Sequence, residues 1–289
     1  MASSVSRTIT DTHSTKVGNP GSLLILVKKY NLKIPKHIKY IVKLVKMSTK
    51  YFILTKPKNE NISIADNDGN QIVYLNNQIC YILPQNLMMD YTNRGLFESP
   101  LIEWCKQFCN PEKNMLDIGA HTGTYALSLS GFCNQVYCFE PQQMTYYALC
   151  GGVALSNKRN IRCINVGLGS EEQRGKQTLN IVSNDGGGST IQSAQGMNVL
   201  RQEEIVVETL DSFELSNIGF IKMDVEENEY FVLLGARNTL EMSGFPTILF
   251  ECNNPSENKQ LFEYLVTLGY KVVHVSGVNN MFLAHGDTP

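Results

Sequence analysis

The chain has 289 residues, 43% of them hydrophobic and 18% charged, with a formal net charge of −2, the balance of an ordinary globular protein long enough to bury a sizeable core. The longest early apolar run, residues 23–27, is far too short to cross a bilayer, and the first ten residues lack the apolar core of a signal peptide. The eight cysteines form no CxxC pair and have no histidine at metal-ligand spacing, which argues against zinc; thiols in strand-like runs, such as Cys138 and Cys163, point to a reducing, cytoplasmic compartment.

The charge is unevenly distributed. Residues 1–58 hold eleven Lys and one Arg against a single acid, Asp11, so this region carries +11 and the remainder −13. Such polarity speaks of partners rather than of fold. Residues 1–21, rich in Ser, Thr and Gly, read as a mobile tail. From residue 35 a helix is expected, because Ile38, Ile41, Val42 and Val45 repeat at helical spacing while Lys36, Lys39, Lys43, Lys46 and Lys50 fall mostly opposite. Its apolar side could pack on the domain, lie on an anionic membrane surface, or leave the lysines to hold a polyanion or a second subunit. Membrane-surface helices usually carry Trp or Phe on that side, and only Tyr40 lies nearby, so docking is favoured over the membrane role.

Short β-type runs follow at 51–54, 62–64 and 72–75, and "ADNDGN" (65–70) carries the Asp-Gly of a hairpin. "SPLIEWCKQF" (99–108) predicts an amphipathic helix with Ser99 as cap and Pro100 in the first turn. Beyond residue 114, compact apolar strands are expected at 115–118, 135–139, 161–166, 220–223, 247–250 and 271–275. Helical stretches separate most of them, for example 258–268, stopped at Gly269. That alternation predicts a doubly wound, mostly parallel sheet. "VNNMFLAH" (278–285) follows its strand after a short turn and should return antiparallel.

"NMLDIGAHTGTYAL" (114–127) reads as a buried strand, a glycine turn and a helix start, the element that approaches a ligand at the carboxyl edge of such a sheet. The next strand, "QVYCFEP", ends in Glu140, an acid placed to accept both ribose hydroxyls of a nucleoside cofactor. The dinucleotide fingerprint GxGxxG fails, since position 121 is His rather than Gly. An acid before the turn, Asp117, also suits a cationic methionine moiety better than a pyrophosphate. These residues favour S-adenosylmethionine.

"GLFESPLIEW", "MLDIGAHTGTYAL", "VYCFEP", "NVGLGS", "GGGST", "ETLDSF" and "IGFIKMDVEENEYFVLLGA", in that order, resemble the FkbM family of S-adenosylmethionine-dependent methyltransferases over about residues 72–284. The resemblance implies an α/β fold. Its Rossmann-like, doubly wound, mostly parallel seven-stranded methyltransferase sheet would end in an antiparallel last strand, preceded by a small β-hairpin and the basic helical region. It also implies O-methylation of hydroxyls on sugars, glycans or related small molecules. Residues 1–50 would be the tail and arm, 51–110 the hairpin and lead-in helix, and 111–289 the methyltransferase domain. Glu98, Asp117, Gly119, His121, Thr122, Gly123, Glu140, Pro141, Val166 and Gly167 would surround the cofactor, with Asp224 beside it. His121 stands where the family usually has Asn, and Glu227 where "DVEG" would have glycine.

Methyl transfer needs an aligned nucleophile and, for an alcohol, a proton acceptor. "KMDVEENE" supplies Lys222, Asp224, Glu226, Glu227 and Glu229 at a strand end, and "LFECNNP" places Glu251 at the end of the next strand. Asp224, Glu226, Glu251 and Lys222 are therefore the catalytic candidates, with Glu227 and its neighbours capping and solvating a helix that begins near Glu227. Three carboxylates on one rim would also suit Mg²⁺ or Mn²⁺, a reading not favoured. His121 is a second candidate base, and Asp211 reads as a cap or turn residue. "NDGGGST" is either a loop over the substrate or a plain hairpin connection. Two rival functions remain. The basic arm invites an RNA 2′-O-methyltransferase, although no second lysine completes the Lys-Asp-Lys-Glu set such enzymes use. The departures at His121 and Glu227 invite a catalytically silent binding module.

Overall fold

A computed structural model describes residues 62–65, 71–76, 79–84, 96–183, 187–192, 196–278 and 280–286. The tail, the basic helix, the strand at 51–54 and the Asp-Gly loop at 66–70 lie outside the described residues. The strands flanking that loop pair as expected. β1 (Ile62–Ala65) and β2 (Gln71–Asn76) are antiparallel, with Ile62 opposite Leu75, and β3 (Ile79–Pro84) adds a third strand that the sequence reading missed.

The helix at 99–108 forms, with a different start. Glu98, not Ser99, takes the cap position of α1 (Ser99–Cys105), in a left-handed conformation at φ 54°. A tight turn, in which the Ser99 amide donates to the Leu96 carbonyl, brings Glu98 there, and its own carbonyl takes the Ile102 amide at 2.9 Å. The helix then tightens into a 3₁₀ turn over Lys106–Phe108.

The remaining strands build a seven-stranded sheet. In chain order they are β4 (Asn114–Ile118), β5 (Val136–Phe139), β6 (Ile161–Ile164), β10 (Ile218–Met223), β11 (Thr247–Glu251), β12 (Tyr270–His274) and β13 (Met281–Gly286). Their spatial order is β12-β13-β11-β10-β4-β5-β6. The five strands from β6 to β11 are parallel, and β13 runs antiparallel between β11 and β12. The last strand thus returns antiparallel as its short turn dictates, and it inserts beside β11 rather than at the edge. Helices α2 (Thr124–Leu129), α3 (Gln143–Leu155), α4 (Glu229–Leu234), α5 (Arg237–Met242) and α6 (Lys259–Thr267) connect the strands.

Strand alternation divides the core into two layers. Met115, Phe220 and Leu249 face one side of the sheet with Leu127 and Leu149 of the first helices; Leu116, Ile221 and Ile248 face the other with Val232, Leu240 and Leu265. Both faces are covered, so the central strands are apolar runs rather than alternating ones, which is what made them readable. Each of these fully buried side chains stabilises the fold by about 1.5–3 kcal/mol. Helix α6 buries Leu261 and Leu265, one turn apart, and stops where Gly269 turns left-handed at φ 87°.

The strand expected at 161–166 ends at Ile164. Asn165 turns its amide to the carbonyls of Glu140 (2.8 Å) and Pro141 (3.0 Å) and leads the chain out of the sheet. There β7 (Gly167–Leu168) joins β9 (Arg201–Glu208), which pairs antiparallel with β8 (Gly175–Ile181). The "NDGGGST" segment lies in the β8–β9 connection, and Asn180 bridges Thr190 across it.

Candidate functional site

The chain passes from β4 outward to β5 and β6, then returns to place β10 on the other side of β4. The sheet's switch point lies between these two strands, and a ligand crevice is expected at their carboxyl ends. A cleft of about 350 Å³ opens there, within the size range of small-molecule sites.

The turn after β4 closes the floor. The Gly119 and Ala120 amides both donate to the Phe139 carbonyl at 3.0 Å, and the Asp224 amide donates to the Ile118 carbonyl at 2.9 Å. Gly119 is needed for close approach: at φ 71° a Cβ on it would lie 1.7 Å from the Asp224 carbonyl oxygen. His121 also sits left-handed, at φ 51°. His shares with Asn a tolerance for that region, which accounts for its standing where the family usually has Asn.

Glu140, buried at the end of β5, is held from two sides. Its Oε2 accepts the His121 amide and its Oε1 the Gln142 amide, each at 2.9 Å. Burial outweighs these bonds and pushes its carboxyl up to about 7. Pro141, Val166 and Gly167 complete this side of the cleft, and Glu98 lines it from the cap of α1. The Tyr125 hydroxyl, which the sequence reading missed, donates to Glu98 at 2.9 Å; burial holds the Glu98 carboxyl above its ordinary value.

Three expected cofactor contacts do not line the cleft. Asp117 is buried beneath it, its Oδ2 accepting the Ala126 amide of α2 at 2.9 Å while Oδ1 has no partner. Helix α2 begins at Gly123, which offers no side chain to cap it, so a strand carboxylate satisfies the amide instead. Thr122 is buried, and Gly123 packs against α2 and α3, where a Cβ on it would meet Leu149 at 2.4 Å.

The opposite rim carries the ionisable cluster. Lys222 is buried; its Nζ donates to the Gly119 carbonyl and to Asp224 Oδ2, both at 3.2 Å, and lies 5.3 Å from the Tyr125 ring centre. Burial works against its charge, but Asp224, Asp117 and Glu98 outweigh that and hold the ammonium above its ordinary range. Burial likewise opposes ionisation of Asp224, and the Lys222 charge and a hydrogen bond from Glu251 bring its carboxyl below the usual range. Glu251, desolvated and facing the Asp224 charge, is pushed up to about 9 and keeps the proton of the pair. Asn280 donates to its Oε1.

Glu226 lines the cleft beside Asp224 and Glu251 but is also held by the β8–β9 connection. Its Oε1 accepts the Gly188 amide at 2.6 Å, and its carbonyl accepts the Thr190 hydroxyl at 2.9 Å. Glu227 is left-handed at φ 73° and therefore adopts the conformation for which glycine is suited, at a strain of about 1–2 kcal/mol. Asn258 donates to its carboxylate, so it is not merely solvated. The helix begins at Glu229, close to where it was expected, with Asn228 in the cap position. Glu229 folds back onto the Val225 amide at 2.9 Å, and burial pushes it up to about 8. Asp211 is a cap, accepting the Asn238 and Thr239 amides of α5 at 3.0 and 2.8 Å.

Burial raises Asp117 to about 6, Glu140 to about 7, Glu229 to about 8 and Glu251 to about 9, so the folded chain holds protons that the unfolded chain releases near pH 4 to 4.5. The lowered Asp224 acts only at more acid pH. Between pH 5 and 8 the native state therefore binds more protons, and stability falls as pH rises. Calorimetry at fixed ionic strength should show Tm decreasing across that window; a rising Tm would mean these acids are ionised in the native state.

The family model described as the methyltransferase FkbM domain matches residues 117–272. Comparison with curated proteins gave no match. Among solved structures, the chain is similar to a methyltransferase FkbM from Methylobacillus flagellatus KT, with 19% identity, a TM-score of 0.44 and coverage of 61% of this chain. It spans only 44% of that protein's length. It is also similar to a precorrin-6y C5,15-methyltransferase from Geobacter metallireducens GS-15 (8% identity, TM-score 0.43, covering 66% of this chain and 90% of that one). A Streptococcus mutans structure in complex with SAH shares 11% identity at a TM-score of 0.39, covering 64% of this chain and 93% of that one.

Proposed function

The chain belongs to the FkbM family of S-adenosylmethionine-dependent methyltransferases, and from that premise we propose that it transfers a methyl group to a hydroxyl of a sugar, glycan or related uncharged small molecule. The residues of the cleft fit the methyl donor. Glu140 is fixed by two backbone amides and keeps lone pairs for ribose hydroxyls, Val166 and Phe139 offer apolar walls, and the carboxylates of Glu98 and Asp224 complement a sulfonium. When bound, the donor supplies an activated methyl group with a good leaving group.

The protein's task is then alignment and proton removal. Asp224 is the ionised member of its pair and faces the cleft, so it accepts a hydrogen bond from the acceptor hydroxyl and orients the oxygen. As the new C–O bond forms, that hydroxyl proton becomes strongly acidic, and a carboxylate held below its ordinary range still takes it. Lys222 and Glu251 hold Asp224 in place from either side. The observation that carries this reading is the geometry of the rim: Asp224 lines the cleft at the end of β10, 3.2 Å from the buried Lys222 ammonium, with Glu251 beside it.

The same rim bears on the rivals. Glu98, Asp224 and Glu226 face the cleft with Lys222 already paired to Asp224, a field that opposes a phosphate-bearing acceptor and so weighs against RNA. Asp224, Glu226 and Glu251 bring carboxylate oxygens within 4.8 Å of one another. Lys222, the Gly188 amide and Asn280 each already engage one of the three, and the proposal includes no metal-dependent step. A silent module is the remaining rival, and turnover decides it. All eight cysteines are free, which suits a reducing compartment, and a cytoplasmic location belongs to the proposal. Among the described residues no helix is long and apolar enough to cross a membrane. The basic region of residues 1–58 is proposed to dock a polyanion or a second subunit. Methyl-labelled donor incubated with monosaccharides, glycans and capped RNA tests the reading: label should enter the hydroxylated sugars, and label entering only RNA would refute it.

A further inference from the structure

We infer that Glu226 is a positioning residue, a latch that fixes residues 187–192 as the acceptor-facing wall of the cleft, with Ser189 as a residue of acceptor specificity; this rests on the proposed methyl transfer to a hydroxyl. Residues 187–192 of the β8–β9 connection lie at the rim of the site, where Gly187, Ser189 and Ile191 line the cleft. Three bonds tie it to the turn after β10. The Gly188 amide donates to Glu226 Oε1 at 2.6 Å, the Thr190 hydroxyl to the Glu226 carbonyl at 2.9 Å, and the Gln192 side chain to Asn228 Oδ1 at 2.6 Å. Asn228 is itself anchored on the Leu168 carbonyl at 3.0 Å. Gly188 is left-handed at φ 72°, the conformation that turns its amide toward the acid.

The Ser189 Oγ is buried and has no hydrogen-bond partner. A buried hydroxyl without a partner is unfavourable unless something meets it, and this one belongs to the wall of a ligand-sized cleft, one residue from the Gly188 latch. A hydroxylated acceptor supplies that partner. Glu226 therefore acts on the reaction through the wall: its carboxylate oxygen is engaged by a backbone amide, whereas Asp224 is the carboxylate turned to the reacting hydroxyl. The left-handed conformations of Glu226 and Glu227, φ 54° and 73°, bring the turn close enough for the latch to form.

Two arms test this on the full chain. Hydrogen exchange over residues 187–192, measured with S-adenosylhomocysteine present, should be about tenfold faster in Glu226→Ala, the loss of one hydrogen bond of about 1.4 kcal/mol, and largely restored in Glu226→Gln, whose side-chain carbonyl still accepts from Gly188. Unchanged exchange in Glu226→Ala overturns the latch. In methyl transfer to methyl glucoside, galactoside and mannoside, Glu226→Ala and Ser189→Ala should each raise KM about tenfold, with kcat within about threefold and Glu226→Gln recovering most of the loss. Equal collapse of kcat in Glu226→Ala and Glu226→Gln would instead make Glu226 the proton acceptor and overturn the assignment. If wild-type protein methylates no glycoside, the sugar-acceptor reading fails, and the exchange arm alone decides the latch.

Discussion

Replacing Asp224 by Asn should lower kcat by about 10²- to 10⁴-fold, the range for loss of a positioned proton acceptor, while donor affinity changes only a few-fold. The substitution keeps the shape and the hydrogen bond from Lys222, whose Nζ lies 3.2 Å from Oδ2, and removes the charge that receives the proton. Burial, the larger cause of the raised Glu251 pKa, remains, but the Asp224 charge that adds to it is lost, so the Glu251 carboxyl should fall part of the way toward its ordinary range and substitute weakly at higher pH. Residual activity in the variant should therefore rise with pH more steeply than in the wild type. Steady-state kinetics with the donor saturating separates these effects, and circular dichroism establishes that the variant is folded. Turnover retained within about threefold at neutral pH would move the base elsewhere, with His121 next in line.

The second large effect is on the donor. Glu140→Ala should weaken S-adenosylmethionine binding by about 10- to 100-fold, the loss expected when hydrogen bonds to a charged group are removed and their partners left unpaired. Two contributions combine in that figure. The ribose hydroxyls lose their acceptor, and the His121 and Gln142 amides, which donate to Oε2 and Oε1, lose theirs, loosening the turn that shapes the site. Glu140→Gln should fall between wild type and Glu140→Ala, since its single side-chain oxygen can accept from only one of the two amides and keeps only part of the ribose contact. Wild-type affinity should also rise as pH increases through about 7, where Glu140 ionises. Calorimetric titration of the folded Ala variant with unchanged affinity would remove Glu140 from the donor site.

The parts of the site legible in the sequence are those fixed by strand ends. Glu140, Lys222, Asp224 and Glu251 each lie at or just beyond the carboxyl end of an apolar run, and a parallel sheet brings such ends together whatever the intervening loops do. Asp117 was legible as important but not in its role. Only the three-dimensional turn shows that α2 has no side-chain cap and draws on this carboxylate for its Ala126 amide. Glu226 does share the rim with Asp224 and Glu251, but its partner across the cleft was not legible in the sequence. Its bond to Gly188 spans 38 positions and arises from a hairpin, β8–β9, whose exposed alternating strands gave no compact apolar signal. The short strand β3 was missed for a related reason: only its packing against α2 and α3, with Tyr81 bonded to Ser128 and with Cys80 and Ile82 against Gly152 and Gly151, marks it as core. Glu98 was taken from resemblance alone, and its left-handed cap position explains how an acid before a helix comes to face the cleft.

The central claim is that the cleft beside Asp224 moves a methyl group from S-adenosylmethionine to a hydroxyl oxygen. Its most direct test is ¹³C NMR of the products formed by the wild-type chain from methyl-¹³C donor and the glycoside panel. The account predicts a new methyl ether carbon, coupled to a sugar ring position and formed at least about 10²-fold more slowly by Asp224→Asn. A labelled methyl appearing on nitrogen, sulfur or carbon instead, or full donor binding with no labelled product from any hydroxylated acceptor, would contradict it.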